Sequence, residues 1–288
     1  MAAENRNAMT KMRQSDDNRW IPMTSVASKT GKEVAPDVFY YTNQIVNVIM
    51  IGQPGGGNWI LIDTGMPQCA EEIMHVAEGR FGEGNAPTAI ILTHGHFDHV
   101  GNVVHLSEAW DVPVFAHTLE YPYLTGEKGY PAPDTSVEGG LLAKLSALYP
   151  HEAIDISKRL LPLPDGGAVP FLDEWRWVHV PGHSPGQIAL FRERDRLLLS
   201  ADAFVTVRQD ALYKVLVQKE EVHGPPRYLT TDWTQARESL RRLCDLMPAT
   251  VIAGHGQYME GEALQQGLDE LLQNFDELAK PDHGRFVD

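Results

Sequence analysis

From Val38 the chain reads "VFYYTNQIVNVIMIG", then "GQPGGGN" as a turn, then "WILIDTG". Apolar runs punctuated by glycine predict a β-meander. "PQCAEEIMHVAEGRFG" follows, with Pro67 near a helix start and Cys69, Ile73, Val76 and Ala77 on one face. "TAIILT" predicts a short buried strand, "GNVVHLSEAW" a helix and "VPVFAH" another strand. The first half therefore alternates strand and helix.

The rhythm breaks between about Leu119 and Pro164. "EYPYLTGEKGYPAPDTSVEGG" is rich in proline, glycine and tyrosine, and "LLAKLSALYP" predicts a short apolar helix. A long aromatic-bearing insertion of this kind is expected to cover a site like a lid. Strands return with "WRWVHV" and "QIALFRERDRLLLSAD", joined through a charged turn from Arg192 to Arg196. "DWTQARESLRRLCDLM" predicts an amphipathic helix capped by Asp232, with Trp233, Ala236, Leu240, Leu243 and Met247 aligned. "ATVIAGHG" predicts a last strand. "GEALQQGLDELLQNFDELAK" predicts a closing helix with Leu264, Leu268, Leu271, Phe275 and Leu278 inward. Residues 1–20 read as a flexible extension and residues 21–288 as a single domain.

The 288 residues are 43% hydrophobic, enough for a sizeable core. A net charge of −15 argues against nucleic acid or an anionic membrane as partner, because both reward Lys and Arg. Cys69 and Cys244 are the two cysteines, with no CxxC spacing, and are expected as free thiols. No signal-peptide pattern or long apolar run occurs, so a cytoplasmic location is expected. The expected partner is a small-molecule substrate, and a homodimer stays open.

Chemistry concentrates in "AIILTHGHFDHVGN", where His94, His96, Asp98 and His99 fall within six residues after an apolar strand. Histidine and aspartate supply the nitrogen and oxygen lone pairs that Zn²⁺ and similar metals accept. Four such groups could serve one tetrahedral ion, but adjacent Asp and His side chains more easily feed two. Further donors follow other strands: His183 in "HVPGHSPGQ", Asp202 in "LLLSADAF" and His255 in "VIAGHGQ". Each sits among small residues that let loops come close.

This ordered set, H-x-H-x-D-H followed by His, Asp and His, resembles the metallo-β-lactamase fold superfamily in its dinuclear hydrolase branch. "LIDTG", with Asp63, Thr64 and Gly65, is similar to that family's early strand-and-turn signature. The resemblance runs from roughly Val38 to Tyr258. It implies an α/β fold of four layers, an αβ/βα sandwich with metals at one edge between two sheets. It implies one ion on His94, His96 and His183, another on Asp98, His99 and His255, and Asp202 bridging both. Asp63 would orient groups of the ligand loops. The implied cofactors are two divalent ions, Zn first, with Fe or Mn as alternatives, and no organic cofactor.

The implied activity is a metal-dependent hydrolase that cleaves a carboxylic ester or lactone with a metal-bridging hydroxide, Asp98 moving the proton. A glyoxalase II-like thioester hydrolase is one alternative, although "GHGQYMEG" and the acidic helix after it differ from that subfamily's pattern. A mononuclear-iron sulfur dioxygenase using His94, His96, His183 and Asp202 is another. Val205 stands where the well-studied lactonases place a tyrosine, so an oxyanion donor would have to come from elsewhere, with Tyr213 as one candidate. Tyr121, Tyr123, Tyr130 and Tyr149 are candidates for a pocket wall, and His223 for its rim.

Overall fold

A computed structural model describes residues 25, 27–138, 146, 149–207 and 221–287. The N-terminal extension expected over residues 1–20, most of the short helix expected near Leu141, and Tyr213 lie outside the described residues.

The first sheet begins with β1 (Thr30–Ala35), β2 (Val38–Asn43), β3 (Val46–Ile51) and β4 (Ile60–Ile62). These pair antiparallel in sequence order, forming the expected meander. Helix α1 (Ala70–Phe81) then leads to β5 (Ala89–Ile91), α2 (Val103–Trp110) to β6 (Val114–Ala116), and the short α3 (Tyr121–Leu124) precedes β7 (Leu160–Pro162). Strands β4 to β7 run parallel, so the seven-stranded sheet is mixed.

The second sheet contains β8 (Trp175–His179), β9 (Ile188–Arg192) and β10 (Leu197–Ala201). Helix α4 (Trp233–Asp245) follows, then β11 (Thr250–Ala253), β12 (Met259–Glu260), α5 (Gly261–Gln273) and the single turn α6 (Phe275–Leu278). The order in this sheet is β12-β11-β10-β9-β8, with β10 and β11 parallel.

Both sheets are covered on both faces, which explains why their strands read as unbroken apolar runs rather than alternating ones. Leu61 and Ile90 point toward α1 and α2, where they meet Ile73, Phe81 and Leu106. Ile60, Ile62 and Ile91 point the other way, onto Ile188, Leu190, Leu199 and Ile252 of the second sheet. On its far side that sheet sends Phe191, Leu198 and Val251 onto Leu240, Leu243, Leu264 and Leu268 of α4 and α5. Four layers result, helices–sheet–sheet–helices. Each fully buried Leu or Ile contributes about 1.5–3 kcal/mol.

Asp232 caps α4, its carboxylate accepting from the Gln235 backbone N–H at 2.8 Å. Met247 departs from the expected stripe: it lies past the helix end at φ 50° and is 60% exposed. Val76 and Leu278 are only partly buried at the edges of their clusters. Arg192 departs more sharply. It was expected in a charged turn, yet its side chain is fully buried between Asp37 and Asp195, each 2.7 Å away, with its guanidinium over the Trp175 ring. The turn that follows, Glu193 to Arg196, does face water, and only Arg192 is drawn inward. No helix among the described residues is long and apolar enough to cross a membrane.

Candidate metal centre

The C-terminal ends of β5, β8, β10 and β11 carry the polar residues. Strand β5 ends at Ile91, and two residues later the chain turns into the segment that carries His94, His96, Asp98 and His99. His183 follows β8, Asp202 follows β10 and His255 follows β11. The C-terminal edge of an open parallel sheet is where backbone ends splay and leave a crevice. Here the parallel part of the first sheet meets the β10–β11 parallel pair and the end of β8 in the second.

The backbone is bent to achieve this. Ala201 holds φ 48°, beside a register shift between Leu199 and Ala201 in the β10–β11 pairing. This turn aims Asp202 into the crevice, and such a conformation in a non-glycine residue costs roughly 1–3 kcal/mol. Asp63, after β4, sits at φ 58°. Gly254 accommodates Asp202: a Cβ there would collide with Asp202 Oδ1 and lie 3.0 Å from His99 Cε1.

All seven expected donors are buried and meet in one place. Donor atoms of His94, His96 and His183 lie within 4.8 Å of one another, as do those of Asp98, His99 and His255. Asp202 stands between the groups, its Oδ2 3.6 Å from His99 Nε2, 3.4 Å from His183 Nε2 and 3.3 Å from His255 Nε2. Asp98 Oδ2 is 3.4 Å from His255 Nε2, and His96 Nδ1 is 2.9 Å from His183 Nε2.

The outer nitrogens decide which way each imidazole presents its lone pair. Thr93 Oγ1 donates to Asp63 Oδ2, so it accepts from His94 Nδ1 at 3.1 Å. Thr230 Oγ1 donates to the Pro226 carbonyl and accepts from His183 Nδ1 at 3.0 Å. His99 Nδ1 faces Asp63 Oδ2 at 2.7 Å, and His255 Nδ1 faces the Ile45 carbonyl at 2.9 Å. Carboxylates and carbonyls only accept, so Nδ1 is the protonated nitrogen in all four rings. Nε2 is therefore the nitrogen that each turns toward the centre.

Charge divides the histidines in two. Burial pushes His94 and His96 well below the ordinary histidine range, aided by neighbouring imidazoles, and brings His183 down to about 4. Burial acts the same way on His99 and His255, but carboxylates outweigh it. Asp63, Asp202 and Asp98 hold His99 well above its usual value, and Asp202 with Asp98 raises His255 to about 9. Asp98 and Asp202 are pulled down despite burial, Asp98 chiefly by His99 and Asp202 chiefly by His255.

This donor set fits divalent cations. Among the described residues, His94 Nε2, His99 Nε2, Asp98 Oδ1 and Asp202 Oδ1 are buried polar atoms with no hydrogen-bond partner. Each such atom costs about 1–3 kcal/mol when left unsatisfied. All four belong to the same cluster, and a bound cation is the species that satisfies lone pairs crowded this closely.

A family model for the metallo-beta-lactamase superfamily matches residues 41–255. The chain belongs to that superfamily. It is similar to the probable metallo-hydrolase YflN of Bacillus subtilis (strain 168), 48% identical over 88% of this chain and 96% of that protein. The crystal structure of TTHA1623 in a di-iron-bound form shares 26% identity and superposes with a TM-score of 0.51, covering 75% of this chain and 90% of that one. A beta-lactamase domain protein from Burkholderia ambifaria shares the fold, with 22% identity, a TM-score of 0.61 and coverage of 87% and 77%. The superfamily fold expected from the sequence is thus the fold observed.

Other expected residues scatter. Tyr130 packs on His96, ring centroids 4.4 Å apart, with Tyr123 stacked behind it at 3.8 Å. Tyr149 lies 5.0 Å from Phe97 and 5.7 Å from Tyr228. Tyr121 is only partly buried. His223 is buried, and its backbone pairs with that of Val205. Sequence reasoning missed Thr93, Thr230 and Glu120. Only Glu120 left a signal, as a carboxylate set in the aromatic stretch "LEYPYL" that folds to 0% exposure.

Proposed function

We propose that this chain is a metal-dependent hydrolase that binds two divalent ions, Zn²⁺ first among them, and cleaves a carboxylic ester or lactone. The observation that carries the reading is Asp202 Oδ2, within 3.3–3.6 Å of inward-facing Nε2 atoms drawn from both donor groups. His94, His96 and His183 would hold one ion, Asp98, His99 and His255 the other, and Asp202 would touch both. When bound, such ions supply Lewis acidity and bring the pKa of water toward ~7, so a nucleophile exists at neutral pH. Nothing in this scheme calls for a serine nucleophile.

The residues of the chain do the rest. Asp98 turns Oδ2 toward His255 and leaves Oδ1 without a partner among the described residues, in position to take up a proton and return it to the leaving group. Asp63, Thr93, Thr230 and the Ile45 carbonyl hold the imidazoles in the tautomer that the centre requires. Tyr130, Tyr149 and the rest of the insertion would wall the substrate side. The Asp98–His99–His255 group supports a two-ion hydrolase over a one-ion oxygenase, which would have no use for it.

The test is metal analysis followed by a screen of esters, lactones and thioesters. About two ions per chain are expected. Asp98→Ala and Asp202→Ala should each lower hydrolysis on the order of 10²-fold or more. Hydrolysis preserved in Asp98→Ala, with robust oxygen uptake on a persulfide, would overturn the reading in favour of the oxygenase.

A further inference from the structure

Glu120 is a fully buried carboxylate that belongs to neither donor group. It lies at the start of the insertion, just before α3. Its Oε2 accepts from the Gly95 backbone N–H at 2.9 Å and from the Tyr130 hydroxyl. Its Oε1 accepts from Ser184 Oγ at 2.9 Å and from the Gly186 backbone N–H at 2.6 Å. Gly95 lies between His94 and His96, and Ser184 follows His183. One side chain therefore ties together the two loops that present the three-histidine group.

The loops are shaped for it. A Cβ on Gly95 would stand 2.7 Å from Tyr130 Oη and 3.3 Å from Glu120 Oε2. A Cβ on Gly186 would stand 2.8 Å from Glu120 Cγ. Both positions need glycine for the carboxylate to approach the backbone. Burying a carboxylate costs several kcal/mol unless donors surround it, and here both oxygens are occupied by donors from separate segments.

We infer that Glu120 is a positioning residue that clasps the His94–His96 loop to the His183 loop and so sets the affinity of the three-histidine ion without touching it. The inference rests on the proposed reading of that group as a metal site. Glutamine cannot replace glutamate here. The hydroxyls of Tyr130 and Ser184 can reverse, but the N–H groups of Gly95 and Gly186 only donate. A carboxamide has one acceptor oxygen, so it holds one loop and turns its own N–H₂ against the other.

The experiment compares wild type and Glu120→Gln in two measurements. In the metal-free chain, amide hydrogen exchange at Gly95 and Gly186 reads the clasp itself, and at least one of these amides should lose protection. Cobalt(II) titration, followed by its visible absorption, then reads each site. The dissociation constant of the three-histidine ion should rise about 10-fold or more, the size expected when a group orienting metal ligands is lost. That of the Asp98–His99–His255 ion should change less than about twofold. Equal weakening at both sites, or no weakening while the amides lose protection, would overturn the positioning role. If Glu120→Gln does not fold, Ser184→Ala and Tyr130→Phe each remove a single donor. Both should then weaken the same site alone, and no shift in either would count against the clasp. A wild-type chain that takes up no cobalt fails at the first titration, before any variant is compared, and refutes the metal reading itself.

Discussion

Asp63 accepts from His99 Nδ1 at 2.7 Å, and through the same oxygen from the Thr93 hydroxyl at 2.7 Å, while its other oxygen takes the Thr93 N–H at 2.8 Å. One carboxylate thus fixes both the end of β5 and the orientation of an imidazole at the centre. Asp63→Asn keeps the shape and the Thr93 N–H contact but offers N–H₂ to His99. The ring must then protonate Nε2 instead of Nδ1, which removes its inward lone pair. Metal affinity at the Asp98–His99–His255 group should fall roughly 10–100-fold with the fold retained. Chelator competition with circular dichroism as control measures this, and unchanged affinity would count against the tautomer argument.

Gly254→Ala should be among the most damaging one-carbon changes in the chain, because the added methyl enters the space of Asp202. Loss of bound metal and a cost of about 1–3 kcal/mol in stability are expected. Gly79→Ala is the control. It lies within α1 with nothing within 4 Å of the new Cβ, so thermal melting should show a gain of about 0.5–1 kcal/mol.

Arg192→Leu should cost roughly 1–3 kcal/mol, since it removes the buried cation between Asp37, which keeps Arg194 at 2.9 Å, and the part-exposed Asp195. Urea denaturation would read it directly, and a change under 1 kcal/mol would show that water reaches those carboxylates. Metal content should be untouched, because Arg192 ends β9 and is not among the donors.

The split in histidine charge gives a pH prediction for the metal-free chain. His183 is lowered to about 4, so between pH 6.5 and 4 the unfolded chain binds a proton that the folded one refuses, and stability falls as pH drops. His255 is raised to about 9, so its contribution is complete below pH 6.5 and is lost as pH rises through 9. His94 and His96 act with His183, and His99 acts with His255. Melting temperature should therefore peak near pH 6.5. A melting temperature that climbs steadily from pH 6.5 to 9 would contradict the assignment.

Metal uptake near pH 7 should release protons at one group only. His99 and His255 are held above neutrality and must give theirs up, whereas the three-histidine group is already neutral. Calorimetry in buffers of different ionisation enthalpy separates the two binding steps, and equal proton release in both would refute the division.

The convergence of the seven candidate ligands was legible because each follows an apolar strand in a short loop of small residues, so strand end and chemistry coincide along the chain. The buried strands were legible because both faces of each sheet are covered, which leaves unbroken apolar runs, whereas the four-layer sandwich came from the family resemblance. Thr230 was not legible, because it acts on His183, 47 residues away in sequence, and Glu120 left only its place in an aromatic stretch. Arg192 misled for a related reason. A buried cation and a solvated one look alike until Asp37, 155 residues away, is seen beside it. Strand β1, largely exposed along its length, and β12, only two residues long, carry too little apolar pattern to announce themselves.

Each donor group draws on both sheets: His94 and His96 need His183 from across the crevice, and Asp98 with His99 needs His255. With the first sheet formed alone the chain owns two members of each group, and with the second alone one of each plus Asp202, so neither group is complete. The chemistry is therefore locked until the sandwich closes. An ion that binds then acts as a rivet through both plates, and its departure should be felt first as slippage between them.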